Sequence, residues 1–421
     1  MNSDSRQSRR SFLKGAAIAG AAVAAGGLPV SADDRPVRPM GQTFDVKQFG
    51  AAGDGVADDT AAAQAAIDAA VKAKGGHVYF PSGQYRITRS LVFASADRFD
   101  VTGDGRSSVL LHENDEPLLL WNEKCSLRES TIANLSLLSV KNDKSPSTPA
   151  ILCRGGAERS AFMHLLIASS GARMGSGIVV EEVMDTTVLD NCVMWSIGGT
   201  GVKTARGSEI RIIGGRITGS GTGKAPLDGT IGVHIAGGNG GVHIVTTDII
   251  RLHTGLRIGE PGAKSNREIF ITHASFDSNV HGIHQVDHAY TSIAGCWTAS
   301  SDEEQILMDR DAHGAIMTVS GGTIFNGGAS KRPGSGNGMV VHAGSFMLTG
   351  VTVRNNKGTG LYVADGISDY TVTGCRFIGN GSAAELRGDS YAFTGNVFAR
   401  NTKALTDMGG PNKAVQGNVG A

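Results

Sequence analysis

Aromatic residues are scarce in this chain, and neither sign of charge dominates. Phe, Trp and Tyr together make up 5% of the 421 residues, whereas glycine occurs 60 times. Lys and Arg number 39, and so do Asp and Glu, so the net charge gives no general reason to bind nucleic acid or an anionic membrane. Any attraction for an acidic ligand must therefore be local. Many glycines with scattered Val, Ile and Thr favour a fold of many short strands and turns.

Long apolar segments are also missing, apart from an Ala- and Gly-rich stretch at residues 15–27. That stretch is too short, and too poor in Leu and Ile, to span a bilayer. It follows Arg9 and Arg10 and precedes small residues at 30–32, an arrangement that resembles a twin-arginine signal peptide. We therefore expect residues 1–32 to be a signal peptide. The mature protein is then periplasmic or secreted and has no membrane anchor.

Cysteine is rare, and the five cysteines are an odd number for an oxidising compartment. Cys192, Cys296 and Cys375 occupy the same place in the repeats described below. Their coils are not neighbours, so the stacking distance forbids disulfide bridges among them. We expect buried thiols that behave as small hydrophobic side chains. The remaining two cysteines are Cys125 and Cys153.

The segment from Phe44 to Ile87 predicts a small helical cap. A short strand leads into a glycine loop, and the Asp-Asp-Thr sequence at 58–60 offers helix N-caps to an alanine-rich helix that runs to about Lys74. Two glycines then end the helix, and two strands follow around a Pro-Ser-Gly turn. Asp54 and the two aspartates at 58 and 59 are explained better by loop and cap roles than by a metal.

This block of roughly 45 residues resembles the N-terminal segment of the pectate-lyase superfamily. The resemblance implies an all-β solenoid, a single-stranded right-handed parallel β-helix with a short N-terminal helical cap. After the signal peptide at 1–32, it implies a cap segment at 33–95 and a parallel β-helix at 96–421. Relatives include lyases, glycoside hydrolases, epimerases and phage tailspikes, so the resemblance leaves the chemistry open.

Beyond the cap, a glycine followed by an apolar residue recurs every 23 to 31 residues as far as Gly282, as expected for a β-solenoid. One start lacks glycine and falls at Gln305-Ile306. Longer spacings predict insertions at one corner, at 218–230 and 326–337, and a third at the opposite end of its strand, at 260–268. The glycine starts are Gly177, Gly201, Gly232, Gly255, Gly282, Gly338 and Gly360.

The repeat predicts a ladder of outward-facing side chains. The residue after each glycine is apolar and should point inward, so the next one should point outward because side chains alternate along a strand. Four adjacent central rungs are basic or imidazole side chains, and apolar rungs flank them. We interpret these rungs as a cationic strip for an anionic sugar chain; a solvated polar face is the alternative. The rungs read Leu152, Val179, Lys203, His234, Arg257, His284, Leu307, Val340 and Tyr362.

Three residues farther along these strands, Glu260 and Asp287 fall on neighbouring coils. Two carboxylates about 5 Å apart are the arrangement of retaining glycosidases. The same pair could hold Ca²⁺, although no metal motif or cofactor motif supports this, or it could form surface ion pairs with Arg206 and Arg310. Asp277, His281 and His288 near His284, and Trp297 on the next strand of that coil as a candidate sugar-stacking ring, complete the candidate region.

The first hypothesis is a polysaccharide lyase that acts on a uronate-containing polymer. β-Elimination needs a cation at the carboxylate, a base for the carbon-5 proton and an acid for the leaving oxygen. Arg257 is the candidate clamp, and His234 or His284 is the candidate base or acid. Lys203 is a second cation or a base.

Two other classes remain open: a glycoside hydrolase using Glu260 and Asp287, and a non-catalytic β-helix that binds glycans. The chain lacks the paired-aspartate and Gly-His-Gly motifs of the polygalacturonase branch and the Asp-Pro-His motif of mannuronan epimerases. In each case the expected partner is a polysaccharide or oligosaccharide, not nucleic acid. The expected assembly is a monomer or a homotrimer.

Overall fold

The computed structural model describes residues 41–94, 98–140, 145–169, 174–183, 185–219, 225–330 and 332–420. The predicted signal peptide lies outside the described residues, as does part of the insertion at 218–230. Gly41–Ala421 forms one compact unit. No helix in the described ranges is both long enough and apolar enough to cross a membrane.

Three parallel sheets run along the molecule, and each coil visits the third, the first and then the second sheet. The first sheet contains Thr43–Asp45, Gly76–Phe80, Phe99–Gly103, Thr131–Ala133, Ser160–Met163, Thr187–Asp190, Ser208–Ile213, Gly240–Val245, Glu268–Thr272, Tyr290–Ala294, Ile316–Ser320, Ser345–Thr349, Tyr370–Thr373, Tyr391–Thr394 and Lys413–Gln416. The second contains Asp54–Asp58, Gly83–Ile87, Ser108–His112, Ser136–Ser139, Leu166–Ser169, Val193–Met194, Arg216–Thr218, Asp248–Ile250, Ser275–Asp277, Trp297–Ala299, Thr323–Phe325, Thr352–Arg354, Arg376–Ile378 and Val397–Ala399.

The third sheet carries the candidate site, and a two-stranded pair lies apart from all three sheets. The third sheet contains Leu91–Phe93, Leu119–Trp121, Pro149–Cys153, Ser176–Val180, Thr200–Thr204, Ile231–Ile235, Thr254–Ile258, His281–Gln285, Glu304–Met308, Asn337–Val341, Thr359–Val363, Ser382–Leu386 and Lys403–Asp407. The separate pair is Leu127–Arg128 with Ala157–Glu158. These strands confirm the predicted solenoid and its repeat.

The strands form because their sequences alternate between the core and the surface. In Thr254–Ile258, Leu256 and Ile258 are fully buried, whereas Arg257 between them lies on the outer face. The same alternation in every coil encloses one continuous core of Ile, Val, Leu and Phe side chains. The core therefore runs along the whole axis, and the outer faces remain available for other roles.

Glycine begins the strands of the third sheet because neighbouring coils approach too closely for a side chain. A Cβ atom on Gly255 would lie 2.5 Å from the carbonyl oxygen of Gly282, and one on Gly201 would lie 2.6 Å from that of Gly232. Gln305 takes this place in one coil, where its amide group bonds to the backbone of Ser301 and Phe325. The glycine repeat is thus a packing requirement.

The cap consists of one α-helix, Thr60–Lys72, and the first coil of the solenoid. The described residues also form two 3₁₀ helices, Val46–Phe49 and Gly105–Ser107. The helix ends two residues earlier than predicted, because Lys74 adopts a left-handed conformation (φ 61°) and the following N–H turns back to Ala70. The strands of the cap already belong to the three sheets, so the cap and the β-helix are continuous.

The acidic residues of the cap hold its loop together. Asp54 accepts from the N–H groups of Val56 and Ala57, and Asp58 accepts from Thr60. Asp59 accepts from the N–H groups of residues 52 and 53, across the glycine loop. These bonds confirm the loop roles predicted for the aspartates, whereas the side chain of Asp59, the N-cap residue, makes no capping bond to the helix.

All five cysteines are free and buried, as predicted. Each of the three repeat-equivalent thiols donates to a carbonyl oxygen of the preceding coil, for example Cys192 to Phe162 and Cys375 to Leu348. Burial raises the pKa of the Cys192 thiol to about 12. These cysteines therefore act as packing residues.

Candidate functional site

The predicted ladder exists, rung by rung, on the outer face of the third sheet. Every one of its nine residues is paired in register with the next, from Leu152 opposite Val179 to Val340 opposite Tyr362. Adjacent rungs are ~4.8 Å apart. The four basic rungs, Lys203, His234, Arg257 and His284, therefore form one continuous strip.

His234 is covered by its neighbours and differs from the other basic rungs. Its side chain points outward, but the residue is only 5% exposed. The Lys203 Nζ atom lies 3.4 Å from the Glu260 Oε1 atom, and this ion pair joins the coils on either side of His234. The His234 Nε2 atom lies 3.3 Å from the carbonyl oxygen of Gly259. Burial lowers the pKa of His234 to about 4, and the charge of Lys203 acts in the same direction.

His284 is paired with a carboxylate that the ladder did not include. Its Nε2 atom lies 2.7 Å from the Asp309 Oδ2 atom on the next coil. Burial lowers the pKa of His284, although the bond to Asp309 opposes the change. Burial alone would raise the pKa of Asp309, but His284 and the N–H of Arg310 hold it below its ordinary value. A neutral His284 that donates from Nε2 leaves Nδ1 as a proton acceptor.

A second histidine–carboxylate pair lies beside the first. The His281 Nδ1 atom is 2.8 Å from the Glu304 Oε2 atom, again on the next coil. The ring centroids of His281 and His284 are 5.6 Å apart. His253 packs edge-on against His281 from the preceding coil, with ring centroids 5.5 Å apart. Two imidazoles, each bonded to an acid through a different ring nitrogen, thus share one surface.

Arg257 lies on the rung between His234 and His284 and has no acidic partner. Among the described residues none forms an ion pair or hydrogen bond with it, and its Nε atom is buried without a partner. The positive charge of Arg257 helps to lower the pKa values of His253 and His284. A guanidinium held without a counter-ion beside two imidazoles is suited to receive an anionic group.

Glu260 and Asp287 fall on neighbouring coils, and each carboxylate has a bonding partner of its own. The strand ends at Ile258, and Glu260 turns back to Lys203. The Asp287 carboxylate accepts from the backbone N–H of His288. The alternation of inward and outward side chains therefore ends before these positions. Glu260 instead has a cation as its partner.

Three side chains assigned to the neighbourhood of His284 lie elsewhere. Trp297 and Asp277 belong to the second sheet, on a different face of the molecule. His288 bonds through Nδ1 to the carbonyl oxygen of Gly314. His281 alone of this group contacts His284.

A groove of about 860 Å³ lies at the N-terminal end of the same outer face. Leu152 and Val179 lie at its floor, and Lys203 and Glu260 line the end nearest the basic rungs. Part of its lining comes from two corner segments, residues 146–149 and Gly229. Both lie at the corner where the sequence predicted an insertion, although the insertion at 326–337 does not line this groove.

Asp309, Glu304 and His253 were missed by the sequence reasoning. Asp309 is two residues beyond the rung Leu307, so the period of two places it on the same outer face. The prediction stepped three residues along each strand and reached Glu260 and Asp287 instead. Glu304 and His281 precede the glycine position, where the close approach of coils interrupts the alternation.

The described residues contain no group of three or more His, Cys, Asp or Glu side chains that could hold a metal ion. The acids nearest the strip are bonded to histidine or lysine. What the arrangement offers is proton transfer beside a fixed cation.

Two families match parts of the chain. Residues 43–117 match "Rhamnogalacturonase A/epimerase, pectate lyase-like", and residues 262–419 match "Right handed beta helix region". With the three stacked sheets, the second match confirms the predicted right-handed parallel β-helix. The first agrees with the resemblance seen in the cap.

Curated relatives match over a short stretch. A stretch of 45 residues, 11% of this chain, is 67% identical to mannuronan C5-epimerase AlgE5 of Azotobacter vinelandii and covers 4% of that protein. Alginate lyase 7 of the same organism is 67% identical over 45 residues, which are 11% of this chain and 5% of that protein. The aligned stretch is therefore a small fraction of either relative.

Solved structures are similar over most of the chain. The pre-mature gene product 12 of bacteriophage phi29 has a TM-score of 0.60 at 13% identity, with 87% of this chain and 50% of that chain covered. The Dettilon tailspike protein gp208 has a TM-score of 0.55 at 15% identity, with 90% and 68% covered. At such identities the likeness shows the fold alone.

Proposed function

We propose that this right-handed parallel β-helix protein is an exported polysaccharide lyase that cleaves a uronate-containing polymer by β-elimination. The observation that carries the proposal is Arg257, a guanidinium without a partner among the described residues, beside two histidines of the next coil that are each paired with a carboxylate. The names of the relatives that share the 45-residue stretch, a mannuronan epimerase and an alginate lyase, favour the same class of polymer.

Arg257 has the first role in this mechanism. It binds the uronate carboxylate and withdraws charge, which makes the carbon-5 proton more acidic. No protein carboxylate competes for Arg257 among the described residues. Binding therefore requires no ion pair to be broken.

His284 is the proposed base. Its Nε2 atom is bonded to Asp309, so the free Nδ1 atom accepts the carbon-5 proton. The low pKa keeps the ring neutral at neutral pH, as a base requires. The C5–H bond and the C4–O4 bond break, and a C4–C5 double bond forms.

His281 is placed to deliver a proton to the leaving O4 oxygen. Its Nδ1 atom is bonded to Glu304, so Nε2 is free to donate when the ring is protonated. The two rings bond their acids through different nitrogens and are 5.6 Å apart, which suits one to act as base and the other as acid. His234 is a rung of the strip that the ion pair of Lys203 and Glu260 covers, so we give it a structural role.

The experiment is to incubate the pure protein with several polyuronates and follow the ultraviolet absorbance of unsaturated uronate ends. We expect absorbance with the wild type, roughly 10²-fold less with His284→Gln, and a large rise in KM with Arg257→Lys. Arg310→Lys, an exposed arginine at the end of a neighbouring strand, is the matched control and should retain full activity. Full activity in Arg257→Ala would remove the proposed site.

The alternatives give different products. New reducing ends without ultraviolet absorbance would identify a hydrolase, and binding without either product would identify a glycan-binding module. The hydrolase alternative uses Glu260 and Asp287, and the Glu260 carboxylate forms an ion pair with Lys203. Both outcomes would contradict the lyase proposal.

Export is a separate part of the proposal and rests on the sequence of residues 1–32. A receptor reads the two arginines as an address. Cell fractionation of the full chain and of its Arg9→Lys, Arg10→Lys variant tests it. Cytoplasmic retention of both proteins would contradict export.

A further inference from the structure

An aromatic pair stands exposed on the second sheet, away from the basic rungs. Trp297 is 43% exposed, and its ring centroid is 5.3 Å from that of Phe325 on the next coil. The guanidinium of Arg354, one coil farther, lies over the Phe325 ring at 5.3 Å from its centroid. This contact holds the guanidinium at the surface in a defined position.

Two arginines follow this pair along the sheet, whereas the strand on its other side carries Asp277, opposite Ala299. In four consecutive strands the central side chains, Thr298, Ile324, Val353 and Phe377, are buried, so the residues on either side of them face outward. These outward residues include no acid. They are Trp297, Ala299, Thr323, Phe325, Thr352, Arg354, Arg376 and Ile378.

Arg354 and Arg376 carry this charge without compensation. Both are exposed, and neither forms an ion pair with any residue in the described ranges. Successive rungs are ~4.8 Å apart, so Trp297 and Arg376, three rungs apart in register, span ~14 Å. The surface therefore offers a stacking ring, two hydroxyl groups and one cation along one line, with Phe325 and the second cation, Arg354, on the line beside it.

We propose that this surface, defined by Trp297, Thr323, Phe325, Thr352, Arg354 and Arg376, binds an anionic polysaccharide at a second, non-catalytic site. We call it the Trp297 surface. The Trp297 ring stacks on a sugar ring, and the two arginines hold carboxylates farther along the same chain. The choice of a uronate polymer as ligand rests on the proposed function; the positive, aromatic character of the surface does not.

The position of the surface determines its effect. It shares coils with His284 but lies on a different sheet, and the corner segment 326–336 connects the two sheets. A long polymer can contact both sites, so the Trp297 surface raises the effective concentration of substrate at the basic rungs. A short oligosaccharide cannot reach both and gains nothing.

The experiment measures binding of the full chain to polygalacturonate and alginate by affinity electrophoresis, with dextran as a neutral polymer. An Arg257→Ala background removes the unpaired guanidinium of the basic rungs. In this background we expect clear retardation by a polyuronate, a loss of at least about tenfold in affinity with Trp297→Ala, and a similar loss with the Arg354→Gln, Arg376→Gln pair. Trp195→Ala is the control, because Trp195 is 45% exposed but lies on an earlier coil.

The outcomes separate this proposal from the lyase proposal. Retardation that depends on Trp297 supports the surface even where no lyase activity is found. Loss of all binding in Arg257→Ala alone, equal losses in the Trp195 and Trp297 variants, or equal retardation by dextran would each overturn it. Melting temperatures of the variants identify any change caused by misfolding.

Turnover provides the second readout. Trp297→Ala should lower kcat/KM on the polymer several-fold and leave kcat/KM on a trisaccharide unchanged. An equal reduction on both substrates would contradict a separate site.

Discussion

The Nε2 atom of His284 lies 2.7 Å from the carboxylate of Asp309, although 25 residues separate them in the chain. The two strands that carry them are neighbours in the third sheet, with His284 opposite Leu307 and Asp309 two residues beyond. Because successive coils stack, two residues that are one repeat apart in the chain come within hydrogen-bonding distance. The pair orients the imidazole and fixes which of its nitrogens is free.

Asp309→Asn tests the role of this pair. The amide keeps the shape but removes the charge that orients and stabilises the imidazole, so we expect roughly a 10²-fold loss in the maximal rate on polyuronate. The melting temperature should change little, because the Asp309 side chain is 35% exposed. Asp311→Asn, an exposed acid on the same turn, should retain the wild-type rate. A wild-type rate in Asp309→Asn would show that the pair plays no part.

The pH profile should report His284 as a base. Burial holds its pKa below the ordinary value of 6.5, so the neutral, active form predominates at neutral pH and is lost only as the pH falls through that lower pKa. The carboxylate of Asp309 opposes this lowering. In Asp309→Asn the acid limb of kcat/KM should therefore move to still lower pH. An acid limb that shifts upward would contradict the assignment.

His234 should make the fold sensitive to acid. Its pKa is about 4 in the folded chain, so an unfolded chain, with a histidine pKa near 6.5, binds the extra proton. The contribution of His234 to the free energy of unfolding is fully present above about pH 6.5. It is lost as the pH falls towards 4, by roughly 3 kcal/mol in total.

Urea unfolding at pH 7 and at pH 4.5 measures this effect. The loss between the two pH values should be clearly smaller in His234→Gln than in the wild type. His313→Gln, at an exposed histidine, should show the wild-type loss. Identical losses in all three proteins would mean that His234 is not the acid-sensitive group.

Gly255→Ala should destabilise the solenoid by roughly 2–4 kcal/mol, since the added methyl group meets the carbonyl oxygen of Gly282 at 2.5 Å. The free energy of unfolding in urea measures this loss. Gly240→Ala is the matched control, because the nearest atom to its Cβ is the end of the Glu268 side chain at 3.5 Å. Equal stability of the two variants would refute the packing explanation of the glycine repeat.

Much of the site was visible in the sequence because the solenoid has a simple period. The glycine starts gave the register, and alternation by two gave the outward rungs, so the order from Lys203 to His284 was predicted and then confirmed. The prediction did not include the ion pair of Glu260 with Lys203, which forms beyond the end of the strand. The backbone there is no longer a pleated strand, so the alternation of side chains does not predict the direction of Glu260.

The sequence by itself determined the solenoid and the residues that stack on each rung, because glycine spacing and apolar alternation are local patterns repeated from coil to coil. Only the tertiary structure decided which acid each histidine contacts, that Glu260 reaches back across a coil to Lys203, and that Arg257 has no partner among the described residues. These contacts depend on where long side chains bend after the strand ends, and no repeat period specifies that.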